Sequence, residues 1–426
     1  MANNFESNFT RYLAKIFLEK FETMRVMSKN VDTQLLDGRF RPDTGANVDF
    51  KRPTDYRSVR TPTGDISATT ASDIITGHAT GTVQDYFTVE VNYDEAAEAI
   101  EMDQIDQLLA PMATRIVTDL ELDFAAFMMR NSALLAGTHG QGVNTWDEVA
   151  TAGAVMQSHG VPMDGGWCYA VNPYTQRSLA SNQRSLGAGG MAGELVYDAH
   201  KMAVIADNFA GMKVMTATTL ASYTSPSYGS DLVGAVNGTP NGTYLAAKDT
   251  MTQSVTVDGF TGNPTIPAGT MVQITGRNRL NLSTRQPIVT DTGANVVWTA
   301  TVTEDVTLAG GAGTLVLTGP AINETDGQYN TVDSAIADND VVTILGAEST
   351  TYQPNLFWHK QAFSIGSVPM KKLHSTDTLA TTEDGLQFRV SKGVNFRQNQ
   401  QLVRFDFRPA YAVLNPFFAG QGFGST

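Results

Sequence analysis

The chain has 426 residues, which is enough for two or three domains with a substantial core. Its hydrophobic content of 42% and charged content of 17% are those of a folded protein, not a disordered one. The net charge of −14 argues against nucleic acid as an adhesive partner, because phosphate binding needs a surplus of Lys and Arg. An acidic surface that lies near packed nucleic acid without binding it remains compatible with this charge.

Cysteine content and hydropathy argue against a disulfide-rich, a membrane-spanning or a secreted protein. The single Cys168 excludes an intramolecular disulfide framework and a cysteine metal cage, and its apolar neighbours favour a buried hydrophobe. No apolar run reaches the ~18 residues of a membrane span. Arg11 and Lys15 interrupt the N-terminal apolar residues, unlike a signal peptide. We therefore expect a soluble protein that folds in a reducing compartment.

The first element in chain order is an amphipathic helix over residues 5–27. Its apolar face consists of Phe9, Leu13, Ile16, Phe17, Phe21 and Met24. Such a helix either folds back on its own core, the commoner arrangement, or reaches a neighbouring molecule.

A long polar segment follows between two alternating strands, one at Val48 and Phe50 and the other over Phe87–Tyr93. A structureless loop of roughly thirty residues is unusual inside a compact domain, so the segment is either disordered or a functional arm. Basic residues cluster near its start, at Lys51, Arg52, Arg57 and Arg60. They are either solvated or reach toward the carboxylates of a partner.

An acidic run leads from the second strand into the next helix. Its members are Asp94, Glu95, Glu98, Glu101, Asp103 and Asp106. Paired carboxylates suit acid–base or metal chemistry, but no His, Cys or Gly-rich metal loop accompanies them. A solvated acidic face before a helix N-terminus is the favoured interpretation.

The longest helix signal runs from Pro111 to Leu135. Pro111 suits a first helical turn, and Gly137 supplies a stop. One face is formed by Met112, Ile116, Leu120, Phe124, Phe127 and Leu134. This helix is either an ordinary core helix or the spine of a larger domain.

Helix and strand signals alternate from residue 141 to about 225, which indicates a mixed α/β layer. Thr145 and Glu148 form a capping-box pattern that opens a helix to about Ser158, and a strand is predicted at 167–171. The glycine-rich run at 187–192 matches the dinucleotide fingerprint in letters only, because no buried strand precedes it.

Helix signals nearly vanish between residues 226 and 346. Strands are predicted at Gln253–Val257, Met271–Ile274, Gln286–Val289, Val296–Val302, Thr314–Thr318 and Val341–Ile344. Their spacing predicts a separate small barrel or sandwich, with an early turn-rich loop at Asn237, Gly238, Asn241 and Gly242. Residues 347–426 return to mixed texture and complete the α/β core around this insert.

No local motif for catalysis or cofactor binding is found. The six histidines lack metal-site spacing, and there is no nucleophile elbow, phosphate loop or Cys–His pair. We expect no enzyme, no cofactor and no metal. The alternatives are a surface β-domain adhesin, which the Thr/Gly-rich insert favours and the missing signal peptide disfavours, and an enzyme with the β domain as a lid.

The order of these parts resembles the major capsid (coat) protein of tailed double-stranded-DNA bacteriophages with the Hong Kong 97-type fold. It is most similar to the P-twenty-two-like podophage branch, whose coat carries an extra β-barrel. The resemblance rests on the strand Phe87–Tyr93 with its acidic follow-on, on Pro111–Leu135, and on segments around the insert, namely 209–214, 269–276, 341–346 and 355–369.

This resemblance implies an α+β fold class with five parts. They are an N-terminal arm (1–42), an extended loop with flanking strands (43–92), a peripheral domain with a spine helix at 111–135 (93–140 and about 371–410), an axial domain (141–225, about 347–370 and 411–426) and an inserted all-β barrel (226–346). The spine helix would bury Ile116, Leu120, Phe124 and Phe127.

The resemblance also implies a function. The chain would self-assemble as hexamers and pentamers into an icosahedral virion shell around phage double-stranded DNA, in the bacterial host cytoplasm, without a membrane. A scaffolding protein and a portal would be its partners. We expect Arg57 and Arg60 to contact Glu98, Glu101 or Asp103 of a neighbouring subunit. The loop with Asn237, Gly238, Asn241 and Gly242 would face the adjacent capsomer without a charged residue of its own.

Overall fold

The computed structural model describes residues 5–36, 45–69, 71–94, 105–186, 199, 202–203, 205–225, 227, 232–395 and 400–425. The chain divides into two compact units. The first comprises Met1–Asp49, Thr80–Ala125 and Phe363–Val413, and the second comprises Phe50–Ala79, Ala126–Ala362 and Leu414–Thr426.

The helices and strands of the described ranges have the following bounds. The α-helices are α1 (Phe5–Met24), α2 (Ile105–Arg130), α3 (Trp146–Ser158), α4 (Pro173–Leu186) and α5 (Tyr244–Ala247). The strands are β1 (Asn47–Lys51), β2 (His78–Val83), β3 (Phe87–Asp94), β4 (Leu134–Ala136), β5 (Trp167–Val171), β6 (Asn208–Phe209), β7 (Met212–Thr216), β8 (Tyr223–Thr224), β9 (Val233–Val236), β10 (Thr252–Asp258), β11 (Thr265–Ile266), β12 (Met271–Asn278), β13 (Val297–Val302), β14 (Val306–Thr307), β15 (Gly313–Thr318), β16 (Val341–Ile344), β17 (Thr351–Tyr352), β18 (Asn355–His359), β19 (Phe363–Ser367), β20 (Thr378–Thr381), β21 (Gln387–Asn395), β22 (Gln400–Phe407), β23 (Pro409–Val413) and β24 (Ala419–Gly422).

The first unit is built on an antiparallel sheet in the order β20-β21-β22-β3, which α1 covers. Phe17 of α1 lies with its ring centroid 4.4 Å from that of Phe388 and 4.9 Å from that of Phe405, while Phe21 lies 5.5 Å from Phe407. The terminal helix therefore folds back on its own core. It ends at Met24, three residues before the predicted end.

The long helix begins earlier than the sequence predicts. The structure places Pro111 inside α2, whose first residue is Ile105. A proline at this depth removes one i→i−4 hydrogen bond of the helix. Within the predicted stripe, Ile116, Leu120 and Phe124 are each at most 1% exposed, whereas Phe127 is half-buried.

The predicted end of this helix, at Leu135, is wrong. The Nδ2 of Asn131 donates to the Phe127 carbonyl and the Oγ of Ser132 donates to the Met129 carbonyl, so side chains satisfy the last turn. The next residues form β4, which pairs in parallel with β24. Leu134 thus belongs to a strand whose partner strand lies nearly three hundred residues away. A local sequence pattern cannot predict such a distant pairing.

The second unit contains a mixed sheet in the order β4-β24-β18-β5-β7-β6. The strand predicted at 167–171 is observed with those bounds and is buried throughout. The capping box is also present, because the Thr145 N–H donates to Glu148 Oε2 at 2.9 Å at the start of α3. Burial raises the pKa of Cys168 to about 11, so its thiol stays protonated and packs as a small hydrophobe.

The same unit holds the insert as a closed six-stranded barrel in the order β10-β15-β13-β12-β16-β9. Five of the six predicted strands are found in it. The sixth, Gln286–Val289, is not a strand; it makes only single bridges, Leu280 with Pro287 and Val289 with Asn295. The barrel instead closes through β9, which the sequence analysis missed because its Val233–Val236 run is short and contains a glycine.

The fold class is confirmed as α+β with an inserted all-β barrel. Among the described helices, none combines the length and apolar character needed to cross a bilayer.

Candidate functional site

The extended loop is the first candidate contact surface, and its described residues between β1 and β2 contain neither helix nor strand. We call residues 52–77 the arm. Its two limbs run side by side, because the Arg52 N–H donates to the Gly77 carbonyl at 2.8 Å and the Arg57 N–H donates to Ser72 Oγ at 3.4 Å. The arm is therefore a folded-back excursion of the chain.

Two ion pairs join the arm to the barrel of the same chain. Asp55 Oδ2 lies 2.5 Å from a guanidinium nitrogen of Arg285, and Asp326 Oδ1 lies 2.6 Å from a guanidinium nitrogen of Arg57. The side chains of Asp55 and Asp326 are 42% and 77% exposed, so solvent screens both pairs and each contributes little on its own.

A tyrosine completes this attachment. The Tyr329 hydroxyl accepts the N–H of Asp55 at 3.2 Å and donates to the carbonyl of Ile75 at 3.0 Å. The neighbouring Gln328 side chain donates to the Asp73 carbonyl at 2.9 Å. Both limbs of the arm are thereby hydrogen-bonded to one short stretch of the insert.

The base of the arm is fixed by Arg52, which is 8% exposed. Burial lowers the pKa of its guanidinium to about 10, which leaves it charged at neutral pH. It donates to the carbonyl oxygens of Leu414 and Asp249. Asp249 also accepts the backbone N–H of His78 at 3.1 Å, so the start and the end of the arm meet at the same place.

The two arginines that were predicted to contact a neighbouring subunit have different surroundings. Arg57 is paired with Asp326 of its own chain, a partner that sequence reasoning missed because about 270 positions separate the two. Arg60 is exposed on the arm. The proposed acceptors Glu98, Glu101 and Asp103 lie outside the described residues.

The predicted turn-rich loop follows β9 directly, because that strand ends at Val236. We call residues 237–243 the barrel loop. The Asn237 N–H donates to the Thr256 carbonyl at 2.8 Å, and the Gly238 N–H donates to Asp338 Oδ1 at 2.7 Å. Gly238 has a φ of +80°, a backbone conformation that favours glycine.

The second half of the barrel loop is held by side chains. Asn241 Oδ1 accepts the Thr243 N–H at 3.1 Å, and the Asn241 carbonyl accepts from Gln253 Nε2 at 3.0 Å. The Gly242 carbonyl accepts the Asn323 N–H at 3.0 Å. The loop thus presents exposed polar groups from a fixed backbone, with the exposed Asp338 carboxylate beside it.

The exposed groups of these surfaces are suited to binding another macromolecule. In the described ranges, no three His, Cys, Asp or Glu side chains are grouped so that they could hold a metal ion. The arm instead exposes large apolar side chains, with Tyr56 at 56%, Ile66 at 60% and Ile74 at 74%. Exposed apolar and charged groups on an excursion of the chain are typical of a protein–protein contact.

Comparisons with known proteins identify relatives among phage coat proteins. The model of the family described as "P22 coat protein - gene protein 5" matches residues 1–424. The chain is similar to the major capsid protein of Acyrthosiphon pisum secondary endosymbiont phage 1, with 37% identity over 430 residues and full coverage of both chains.

Solved structures also match. A structure from Mycobacterium phage Che8 has a TM-score of 0.46 and 11% identity, and the match covers 92% of this chain and 89% of that one. The capsid of cyanophage P-SCSP1u has a TM-score of 0.38 and 11% identity, with coverage of 90% and 84%.

Proposed function

Because the chain belongs to the P22 coat protein family, we propose that copies of it assemble as hexamers and pentamers into a closed icosahedral shell around phage double-stranded DNA. The chain is a structural protein of the virion capsid. The observation that carries this conclusion is the full-length match, since both the family model and the phage major capsid protein align with essentially the whole chain.

A structural role also accounts for the surfaces described above. The arm and the barrel loop offer contacts of moderate strength, and a shell needs many such contacts between identical subunits. The role is non-enzymatic, an inference that family membership supports. The surface-adhesin alternative has no support from the full-length match.

The domain assignment is part of the proposal. Residues 1–42 would form the N-terminal arm, 43–92 the extended loop, and 226–346 the insertion domain. The peripheral domain would take 93–140 and about 371–410, and the axial domain the remainder. The closure of the barrel within residues 233–344 supports the insert as a separate folding element.

The interaction between subunits would centre on the arm. Arg60, which is exposed, would pair with Glu98, Glu101 or Asp103 of a neighbour, and Arg57 would share its charge between Asp326 and the same neighbour. Asn237, Gly238, Asn241 and Gly242 would face the adjacent capsomer through polar groups.

The acidic composition supports a shell that encloses DNA without adhering to it. With a net charge of −14, the chain lacks the cationic surplus that condenses on phosphates. We further propose a scaffolding protein and a portal as assembly partners in the bacterial cytoplasm, on the strength of the family alone.

Electron microscopy of the purified protein, expressed with and without its neighbouring genes, tests the proposed function. Uniform closed shells are expected with the partner genes present. Monodisperse monomers under every condition would contradict it.

Charge reversal tests the arm contact. Arg60→Glu is expected to abolish shells, and simultaneous reversal of Glu98, Glu101 and Asp103 to Arg is expected to restore them. Arg60→Lys is the matched control, because it keeps the positive charge and should keep assembly. Intact shells from Arg60→Glu alone would refute the contact.

A further inference from the structure

The arm and the barrel loop are joined through a single small cluster in the second unit. The Tyr329 hydroxyl bonds the outgoing limb of the arm at Asp55 and the returning limb at Ile75. A tyrosine hydroxyl has one hydrogen to donate, and here that hydrogen goes to the Ile75 carbonyl. Removal of this oxygen would therefore break one hydrogen bond to each limb at the same time.

The ring of Tyr329 is fixed from the other side. It is 7% exposed and stacks on Tyr244 with a centroid distance of 3.6 Å and an interplanar angle of 12°. Tyr244 is the first residue of α5, directly after the barrel loop. Ala247 and Ile322 complete this buried cluster, and Ile75 of the arm packs against it.

The surrounding charges reinforce the same geometry. The Arg285 guanidinium donates to the Asn330 carbonyl at 2.8 Å while it pairs with Asp55, so its orientation is set by the insert. The two ion pairs are partly exposed and individually weak. The buried tyrosine pair is therefore the part of the attachment that water cannot easily replace.

We propose that Tyr329 is a positioning residue that holds the arm against the barrel of its own subunit before assembly, and that its stack on Tyr244 ties the arm to the barrel loop. We call the stacked pair of Tyr329 and Tyr244 the joint. The arm and the barrel loop, which are proposed to contact different neighbouring subunits, are then held in a fixed relative orientation by this joint. The assembly part of this inference rests on the proposed function.

Hydrogen exchange of the unassembled full-length protein tests the joint directly. In the unsubstituted chain, the amides of Arg52 and Asp55 are expected to be protected. Tyr329→Phe keeps the stacked ring and removes only the oxygen, so exchange at Asp55 should become about tenfold faster. Peptides from the barrel strands should be unchanged.

Tyr56→Phe is the matched control. Tyr56 also lies on the arm, but its hydroxyl accepts from Thr54 within the arm and its side chain is 56% exposed. This variant should leave exchange at Asp55 unchanged. If Tyr329→Phe fails to fold, the swap of Asp55→Arg with Arg285→Asp takes its place. Either single change should accelerate exchange in the arm, and the pair should restore protection.

The outcomes separate the joint from the proposed function. Faster exchange in Tyr329→Phe together with slower shell formation than in Tyr56→Phe supports the inference. Unchanged exchange in Tyr329→Phe, or an arm that is unprotected in the unsubstituted chain, overturns it. Faster exchange with unaltered assembly overturns the positioning role. Failure of the unsubstituted protein to form shells, with the protection as described, refutes the proposed function and upholds the joint.

Discussion

Arg279 of the barrel donates a hydrogen bond of 2.8 Å to the carbonyl oxygen of Ala133, the residue just before β4. The guanidinium also bonds the Thr299 carbonyl and lies 5.8 Å from the centroid of the Phe417 ring. Arg279 is 2% exposed, and burial lowers its pKa to about 9, so it stays charged at neutral pH. A buried cation thus links the barrel to the mixed sheet of the same unit.

Replacing this cation should destabilise the protein strongly. Arg279→Ala removes the guanidinium donor from the buried Ala133 and Thr299 carbonyls and opens a cavity, so the free energy of unfolding should fall by about 2–4 kcal/mol. Urea denaturation followed by tryptophan fluorescence measures this loss. Arg177→Ala, at an exposed position of α4, should stay within about 0.5 kcal/mol of the unsubstituted protein. Equal losses in the two variants would contradict the assignment.

Glu121 should secure the chain that follows α1. Its carboxylate, 2% exposed, accepts the backbone N–H groups of Met27 at 2.8 Å and Ser28 at 3.1 Å. Glu121→Ala leaves both donors unsatisfied, and we expect a loss of about 3 kcal/mol with new proteolytic cleavage near residues 25–31. Glu19→Ala, exposed on α1, is the control; a similar cleavage pattern there would refute the role of Glu121.

His139 should make the protein sensitive to acid. Burial lowers its pKa to about 4, and its Nε2 lies 2.7 Å from the Tyr223 hydroxyl among aromatic rings. The unfolded chain binds this proton near pH 6.5, so between about pH 6.5 and 4 the unfolded state holds more protons. The free energy of unfolding therefore decreases as the pH falls through this window, by about 2–3 kcal/mol.

The measurement is the unfolding free energy at a series of pH values. His139→Gln should flatten its decline between about pH 6.5 and 4, whereas His374→Gln, at an exposed position, should not. An unaltered decline in His139→Gln would show that other groups cause it. His159, whose pKa burial lowers to about 3, is expected to supply part of the remaining slope.

The long helix offers a graded test of folding. Phe124 is fully buried and lies 5.1 Å from the Tyr411 ring, whereas Phe127 is half-buried. Phe124→Ser should cost about 4 kcal/mol or more and abolish soluble monomer, while Phe127→Ser should cost clearly less. Soluble yield and circular dichroism of the two variants decide this. Folded monomer from Phe124→Ser would refute the placement of its side chain.

Periodicity predicted the elements whose structure is set locally. The alternation at 403–407 and the apolar run at 167–171 became strands, and the stripe at 116–124 became a buried helix face. In each case the residue spacing reports the side that faces the core. Five barrel strands were found for the same reason.

Contacts with residues distant in the sequence determine the features that periodicity did not predict. The local pattern predicts helix at Leu134, but this residue pairs with β24 as part of a strand. The pattern at Gln286–Val289 predicts a strand, but these residues form only single bridges. The arm attachment depends on Tyr329, Arg285 and Asp326, which lie more than 200 positions from the arm and follow no local pattern. Sequence spacing identified the arm but could not identify what holds it.

The ends of the insert lie side by side. Just outside the barrel, Tyr223 pairs with Tyr352 between β8 and β17, and inside it Ala235 pairs with Val341 between β9 and β16. A chain without the barrel would need only a tight turn to join Tyr223 to Tyr352. Excision of the barrel with a short replacement turn should therefore leave the connectivity of the remaining fold unchanged.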